Sequence, residues 1–185
     1  MVILSGTGSN VENIIQYFEN NPDIRIVGVF SNNPNAQVLD KARKYNVTTF
    51  VFNREELSGG LVLDKIAELK PDLIVLAGFL WKFPEHIIAE YPNKIINIHP
   101  ALLPKYGGKG MYGMKVHQTV LDNKEKETGI TIHYVNEHYD EGEFIFQQNV
   151  SIDDCTKLEE IVAKVHQLEH IHFPKIIEKL ITNHY

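Results

Sequence analysis

The chain has 185 residues, 43% of them hydrophobic and 23% charged, a net charge of −6 and a single cysteine, Cys155. That length suits one domain with a substantial core, and the composition is ordinary for a soluble globular protein. An acidic balance without a basic block argues against a nucleic-acid surface, one cysteine excludes an internal disulfide, and no apolar run suits a signal peptide or membrane span, so a cytoplasmic setting is expected.

Val2-Ile3-Leu4 reads as a short strand, followed by the glycine loop Ser5-Gly6-Thr7-Gly8-Ser9-Asn10. A helix follows, with Val11, Ile14, Ile15 and Phe18 at helical spacing. Strand, glycine loop and helix amino terminus in succession make an anion site, or a plain tight turn. A dinucleotide fingerprint needs a third glycine where Val11 stands and an acid where Ser31-Asn32-Asn33 follows the second strand. NAD is therefore disfavoured, and phosphate stays open.

Residues 24–30 read as the second strand, 37–45 as a helix, 47–52 as the third strand and 61–69 as the next helix. Pro71 to Gly78 is, apart from Asp72, an apolar run ending in small residues, as expected of a central parallel strand. Phe79-Leu80-Trp81-Lys82-Phe83-Pro84 is an apolar, aromatic loop that suits a flat ligand or packs on its own helix.

Lys94 to Pro104 is the most informative stretch. Its β-branched start reads as a buried strand, and proline at positions 100 and 104 stops it. Asn97 and His99, two apart, point to the same face at the carboxyl end of that strand. They read either as a satisfied polar pair or as an acyl-transfer site. In the second reading, an amide N–H and an imidazolium stabilise charge on a carbonyl oxygen. No serine or cysteine nucleophile sits nearby, so the substrate itself would attack.

Residues 107–113 hold four glycines and read as a mobile loop, 117–121 as helix and 129–135 as a half-buried strand. Asn136 to Gly142 is a turn-rich loop carrying Asp140, and 144–150 a partner strand. The last segment is one helical pattern with Leu158, Ile161, Val162, Val165 and Leu168 on one face, which Pro174 is expected to kink or break. Nine histidines raise the question of a metal, but there is no His-Glu-x-x-His, and His133, His138 and Asp140 match no metal signature.

Taken together these pieces resemble the folate-dependent phosphoribosylglycinamide formyltransferase family. The specific motifs are Leu76-Ala77-Gly78-Phe79, Asn97-Ile98-His99-Pro100-Ala101-Leu102-Leu103-Pro104-Lys105-Tyr106, and His133-Tyr134-Val135 leading to Asp140-Glu141-Gly142. The resemblance runs from Leu4 to the helix around Glu169-His170. It implies a single α/β domain over residues 1–185, with a mostly parallel Rossmann-like sheet, flanking helices and an antiparallel C-terminal strand pair. It implies formyl transfer from 10-formyltetrahydrofolate, as cosubstrate, to the amine of glycinamide ribonucleotide in de novo purine synthesis, without a metal.

By the same resemblance Asn97, His99 and Asp140 are the catalytic residues. Gly6, Thr7, Gly8, Ser9 and Asn10 would bind the substrate phosphate, and Glu169 the ribose. The loops Leu80, Trp81, Lys82, Phe83 and Asn136, Glu137, His138, Tyr139 would hold the folate. The expected partners are these small molecules, with no nucleic acid or membrane; monomer and homodimer are both compatible. Two departures stand out: many members carry Arg where Trp81 stands, and the glycine segment 107–113 is longer than in the commonest members. The related methionyl-tRNA formyltransferase and formyltetrahydrofolate hydrolase are expected to carry a further domain, and a single domain without one is expected here.

Overall fold

The computed structural model describes residues 1–5 and 9–183. Among the described residues seven strands form one sheet: β1 (Val2–Leu4), β2 (Gly28–Ser31), β3 (Thr49–Val51), β4 (Ile74–Leu76), β5 (Ile95–His99), β6 (Glu127–Tyr134) and β7 (Phe144–Ser151). The helices are α1 (Ser9–Phe18), α2 (Gln37–Lys44), α3 (Arg54–Ser58), α4 (Leu61–Leu69), α5 (Glu85–Glu90), α6 (Met114–Asp122) and α7 (Leu158–Thr182). The strand order is β3-β2-β1-β4-β5-β6-β7, parallel through β5 and antiparallel at β5–β6 and β6–β7. The expected α/β architecture is therefore the one found.

Period-two alternation divides the core between the two faces of the sheet. Ile3, Val75, Ile96 and Ile98 pack with Val11, Ile14 and Phe18 of α1 and Val165, Phe173 and Ile177 of α7. Val2, Leu4, Ile74, Leu76 and Ile95 face the other way, onto Leu57, Val62, Ile66 and Ile87 of α3, α4 and α5. Being covered on both faces, the parallel strands are near-continuous apolar runs.

Several boundaries differ from the sequence reading. The second strand begins at Gly28 rather than at residue 24, because β1 starts at Val2; ahead of that ladder Arg25 O and Val27 N bond to Met1 alone of the β1 segment. The third and fourth strands are likewise shorter than 47–52 and 71–78. Helices α3 and α5 were not anticipated. Asn53 opens α3 with a capping box, its side chain accepting from Glu56 N while Glu56 accepts from Asn53 N.

Pro174 does not break the last helix, which runs through it for 25 residues. A proline lacks the N–H that would bond the carbonyl four residues back. That carbonyl belongs to His170, and it accepts the side-chain N–H of Asn13 instead, at 3.0 Å. A partner from α1 thus takes the place of the missing helical bond.

The topology also locates a crevice. β1 has β2 on one side and β4 on the other, so the strand order reverses there. Ligands bind outside the carboxyl ends of strands at such a switch point. Ser5 Oγ donates to Ala77 O at 2.7 Å and Ala77 N to Leu4 O at 3.0 Å, tying the ends of β1 and β4 together.

Candidate active site

A cleft of about 930 Å³ opens at these carboxyl ends. It is lined by the start of α1, the loop after β4, the end of β5, the glycine segment, the loop after β6 and one face of α7. Asn97 and His99 lie on its floor, and their chain neighbours Ile96 and Ile98 point into the α1/α7 core. The alternation that packs β5 is what aims both polar side chains at the cleft.

Asp140 joins them from a different element. Its Oδ2 lies 3.6 Å from His99 Nδ1, and its Oδ1 3.6 Å from His133 Nε2. The Gly108 N–H donates to Oδ2 at 2.9 Å. Asp140 takes the left-handed backbone conformation, φ 58°, which a side chain disfavours, so this carboxylate is held by its surroundings. At Gly107 a β-carbon would stand 2.5 Å from Leu103 and 3.3 Å from Asp140 Cβ, so that glycine lets the loop close on the acid.

His133 belongs to the same group although the sequence reading did not place it among the catalytic residues. In the antiparallel β5–β6 register it stands opposite Asn97, and Asn97 Nδ2 lies 3.1 Å from His133 Nε2. His133 Nδ1 lies 2.8 Å from Tyr134 O, which only accepts, so Nδ1 carries the hydrogen and Nε2 accepts from Asn97. The β6–β7 pairing shifts register at Ile132/His133, beside this residue. Gly142 completes the turn, since a β-carbon there would lie 1.7 Å from Tyr134 O. The signal for His133 was its motif and its alternation on β6.

The electrostatics are those of buried groups that balance one another. Burial pushes His99 below its ordinary value, opposed by the Asp140 charge and the Tyr106 carbonyl. Burial also pushes Asp140 up, but His133, His99 and the Gly108 N–H outweigh it and hold the carboxyl below the usual range. Asp140 is therefore ionised at neutral pH. His117, buried on α6 at the same cleft, is pushed down to about 4 by burial and by His166 and His99.

A second polar pair sits where α7 meets α1. Asn10 Nδ2 donates to Glu169 Oε2 at 3.0 Å, and both residues are buried. Ser9 opens α1 and lines the cleft beside them, while Gly6, Thr7 and Gly8 lie outside the described residues. Burial raises Glu169 to about 7, with the Asn10 bond opposing it.

The two proposed folate loops both border the cleft. Leu80, Trp81, Lys82, Phe83, Asn136, His138 and Tyr139 line it, but Glu137 does not; its exposed carboxylate lies 3.7 Å from His138 Nε2. Phe83 is buried against Phe79, so its side chain serves the core. Trp81 packs edge-on to Phe52 and Phe79, with the Arg54 guanidinium 4.7 Å above its ring. Arg54 also lines the cleft, and the sequence reading had passed over it.

The formyl transferase family profile matches residues 1–177. The chain is 32% identical over 186 residues to the phosphoribosylglycinamide formyltransferase of Bacillus subtilis, covering 97% of this chain and 93% of the relative. It is 34% identical over 183 residues to the chloroplastic phosphoribosylglycinamide formyltransferase of Arabidopsis thaliana, covering 95% of this chain but only 63% of that protein's length. Among solved structures, the phosphoribosylglycinamide formyltransferase of Anaplasma phagocytophilum superposes with a TM-score of 0.88 at 32% identity. That match covers 98% of this chain and 86% of the other.

The Glu169 shift predicts a sign. Its value rises from 4.5 unfolded to about 7 folded, so between those pH values the native state holds the extra proton and loses stability as pH rises. Glu169→Gln has no proton to lose and still accepts from Asn10. Its Tm relative to the parent should therefore increase from pH 4.5 to above pH 7 in thermal melts; a constant difference would refute the buried acid.

Proposed function

The chain belongs to the formyl transferase family, and from that membership we propose that it transfers the formyl group of 10-formyltetrahydrofolate to the amine of glycinamide ribonucleotide, in de novo purine synthesis. The observation that carries this reading is the convergence of Asn97, His99 and Asp140, from two elements, on one corner of the cleft. Residues 1–185 act as one catalytic unit in this proposal. A cytoplasmic setting belongs to it too, although one relative is chloroplastic.

In the proposed reaction the substrate amine attacks the formyl carbon, and negative charge gathers on the formyl oxygen. Asn97 Nδ2 has two hydrogens; His133 takes one, leaving the other for that oxygen. Protonated His99 supplies the second donor, favoured by the Asp140 charge beside it. The attacking nitrogen, cationic once bonded, gives its proton to Asp140 directly or through water. Collapse of the adduct breaks the bond from the formyl carbon to the folate nitrogen, which takes up the proton that Asp140 received, directly or through water, and so completes the balance.

The remaining polar features have roles in the same reading. The buried Asn10–Glu169 pair faces the ribose, with the α1 amino terminus toward the phosphate. The loops around Leu80–Phe83 and Asn136–Tyr139 hold the pterin through backbone groups. Arg54 over Trp81 keeps a cation at the wall where many members carry an arginine at the Trp81 position. The test is a folate-absorbance assay with glycinamide ribonucleotide present or omitted. Turnover only with the amine supports the transferase; turnover without it indicates a hydrolase.

Asn97→Ala, His99→Ala and Asp140→Ala should each lower kcat by about 10²-fold or more, with substrate binding much less affected. Near-normal turnover of His99→Ala would sink the mechanism. Asp140 favours the imidazolium, so its removal has a defined direction: Asp140→Asn should move the His99 titration, followed by NMR, further below the ordinary histidine value. An unmoved titration would show that the two groups do not interact.

A further inference from the structure

His99 has two ring nitrogens, and the structure treats them differently. Nε2 lies 2.7 Å from the backbone carbonyl of Tyr106. A carbonyl only accepts, so Nε2 carries a hydrogen whether the ring is neutral or charged. The nitrogen that gains and loses a proton is then Nδ1, the one facing Asp140. Which nitrogen is active is therefore decided by where one backbone carbonyl points.

That carbonyl is held in a strained place. Tyr106 has φ 56°, in the left-handed region that a residue with a β-carbon enters only at a cost. The tyrosine ring is fastened at its far end. Its hydroxyl donates to Glu125 Oε1 at 2.6 Å and accepts from Asn123 Nδ2 at 3.1 Å. Lys105 Nζ donates to the same Glu125 oxygen at 3.2 Å. The ring also packs against the small cluster of Val120, Ile152 and Ile161. Asn123 and Glu125 lie in the connection from α6 to β6, outside the cleft lining.

We propose that the Tyr106–Glu125 hydrogen bond is a latch that sets the tautomer of His99, making Tyr106 and Glu125 positioning residues for the reaction. The latch holds the left-handed turn, the turn aims the carbonyl, and the carbonyl keeps the hydrogen on Nε2. Nδ1 is thereby left free toward Asp140 and the cleft. Its catalytic consequence rests on the reading of His99 given above, whereas the tautomer itself does not.

The experiment compares Tyr106→Phe, Glu125→Ala and Glu125→Gln with the parent by ¹⁵N imidazole NMR above the histidine titration range. The His99 signals are assigned by their absence from His99→Gln. The parent and Glu125→Gln, whose amide oxygen still accepts from the tyrosine, should show hydrogen on Nε2 alone. Tyr106→Phe and Glu125→Ala should show a mixture of tautomers. Their kcat should fall by roughly three- to tenfold, the range that one net hydrogen bond commands, while KM for both substrates is retained. An unmixed Nε2–H tautomer in either disrupting variant overturns the latch, as does loss of the preference in Glu125→Gln. A mixed tautomer with undiminished turnover leaves the latch standing and overturns the catalytic role of His99 instead.

Discussion

The site depends on the antiparallel pairing of β6 with β5. Up to β5 every strand is parallel, and its polar terminal residues would meet only the apolar neighbours of a buried sheet. The reversal lays His133 opposite Asn97, where the two side chains bond, and Thr131 opposite His99, from where it reaches the turn beyond, so polar groups on both strands acquire partners. Without them, each would bear the cost of lost hydration uncompensated. Thr131 goes on to bind Ala101 O at 2.7 Å and to accept from Leu103 N at 3.0 Å, which holds the turn after His99. One change of strand direction thus arranges both the donors and the loop that follows them.

The same pairing explains why the acid comes from a loop. β6 ends at Tyr134, and the chain must turn to return as β7. The turn crosses the open end of β5, where the two imidazoles already stand. A carboxylate arriving there is stabilised by the His99 imidazolium when that ring is protonated and by an N–H from the glycine segment. The left-handed conformation at Asp140 is local strain that these contacts offset, a feature concentrated at functional sites.

What was legible in sequence follows the range of the interaction responsible. Asn97 and His99 were readable because their alignment needs only the two-residue period of a strand. The capping box of α3 was present as Asn53 and Glu56 but went unread. His133 and Asp140 came together through a strand register, a register shift and a strained turn, none of which periodicity encodes. Pro174 was misread for a similar reason. Its helix-breaking tendency is local, whereas the residue that relieves it, Asn13, lies far back in the chain. Sequence shows only that Trp81 stands where many members carry Arg; that the Arg54 guanidinium of α3 lies over its ring is a tertiary contact between separate elements, which periodicity does not encode.

The contact between α1 and α7 is a polar seam rather than a purely greasy one. Asn10 meets Glu169, Asn13 meets the His170 carbonyl, and Tyr17 and Asn21 both reach Glu178. These contacts join residues between 157 and 161 positions apart. Closing so long a loop costs chain entropy before any bond is returned. During synthesis α1 leaves the ribosome long before α7 exists, and its asparagines stay solvated until the final helix docks. The cleft therefore acquires the Asn10–Glu169 corner only once α7 docks, and a nascent chain without α7 holds an unfinished site.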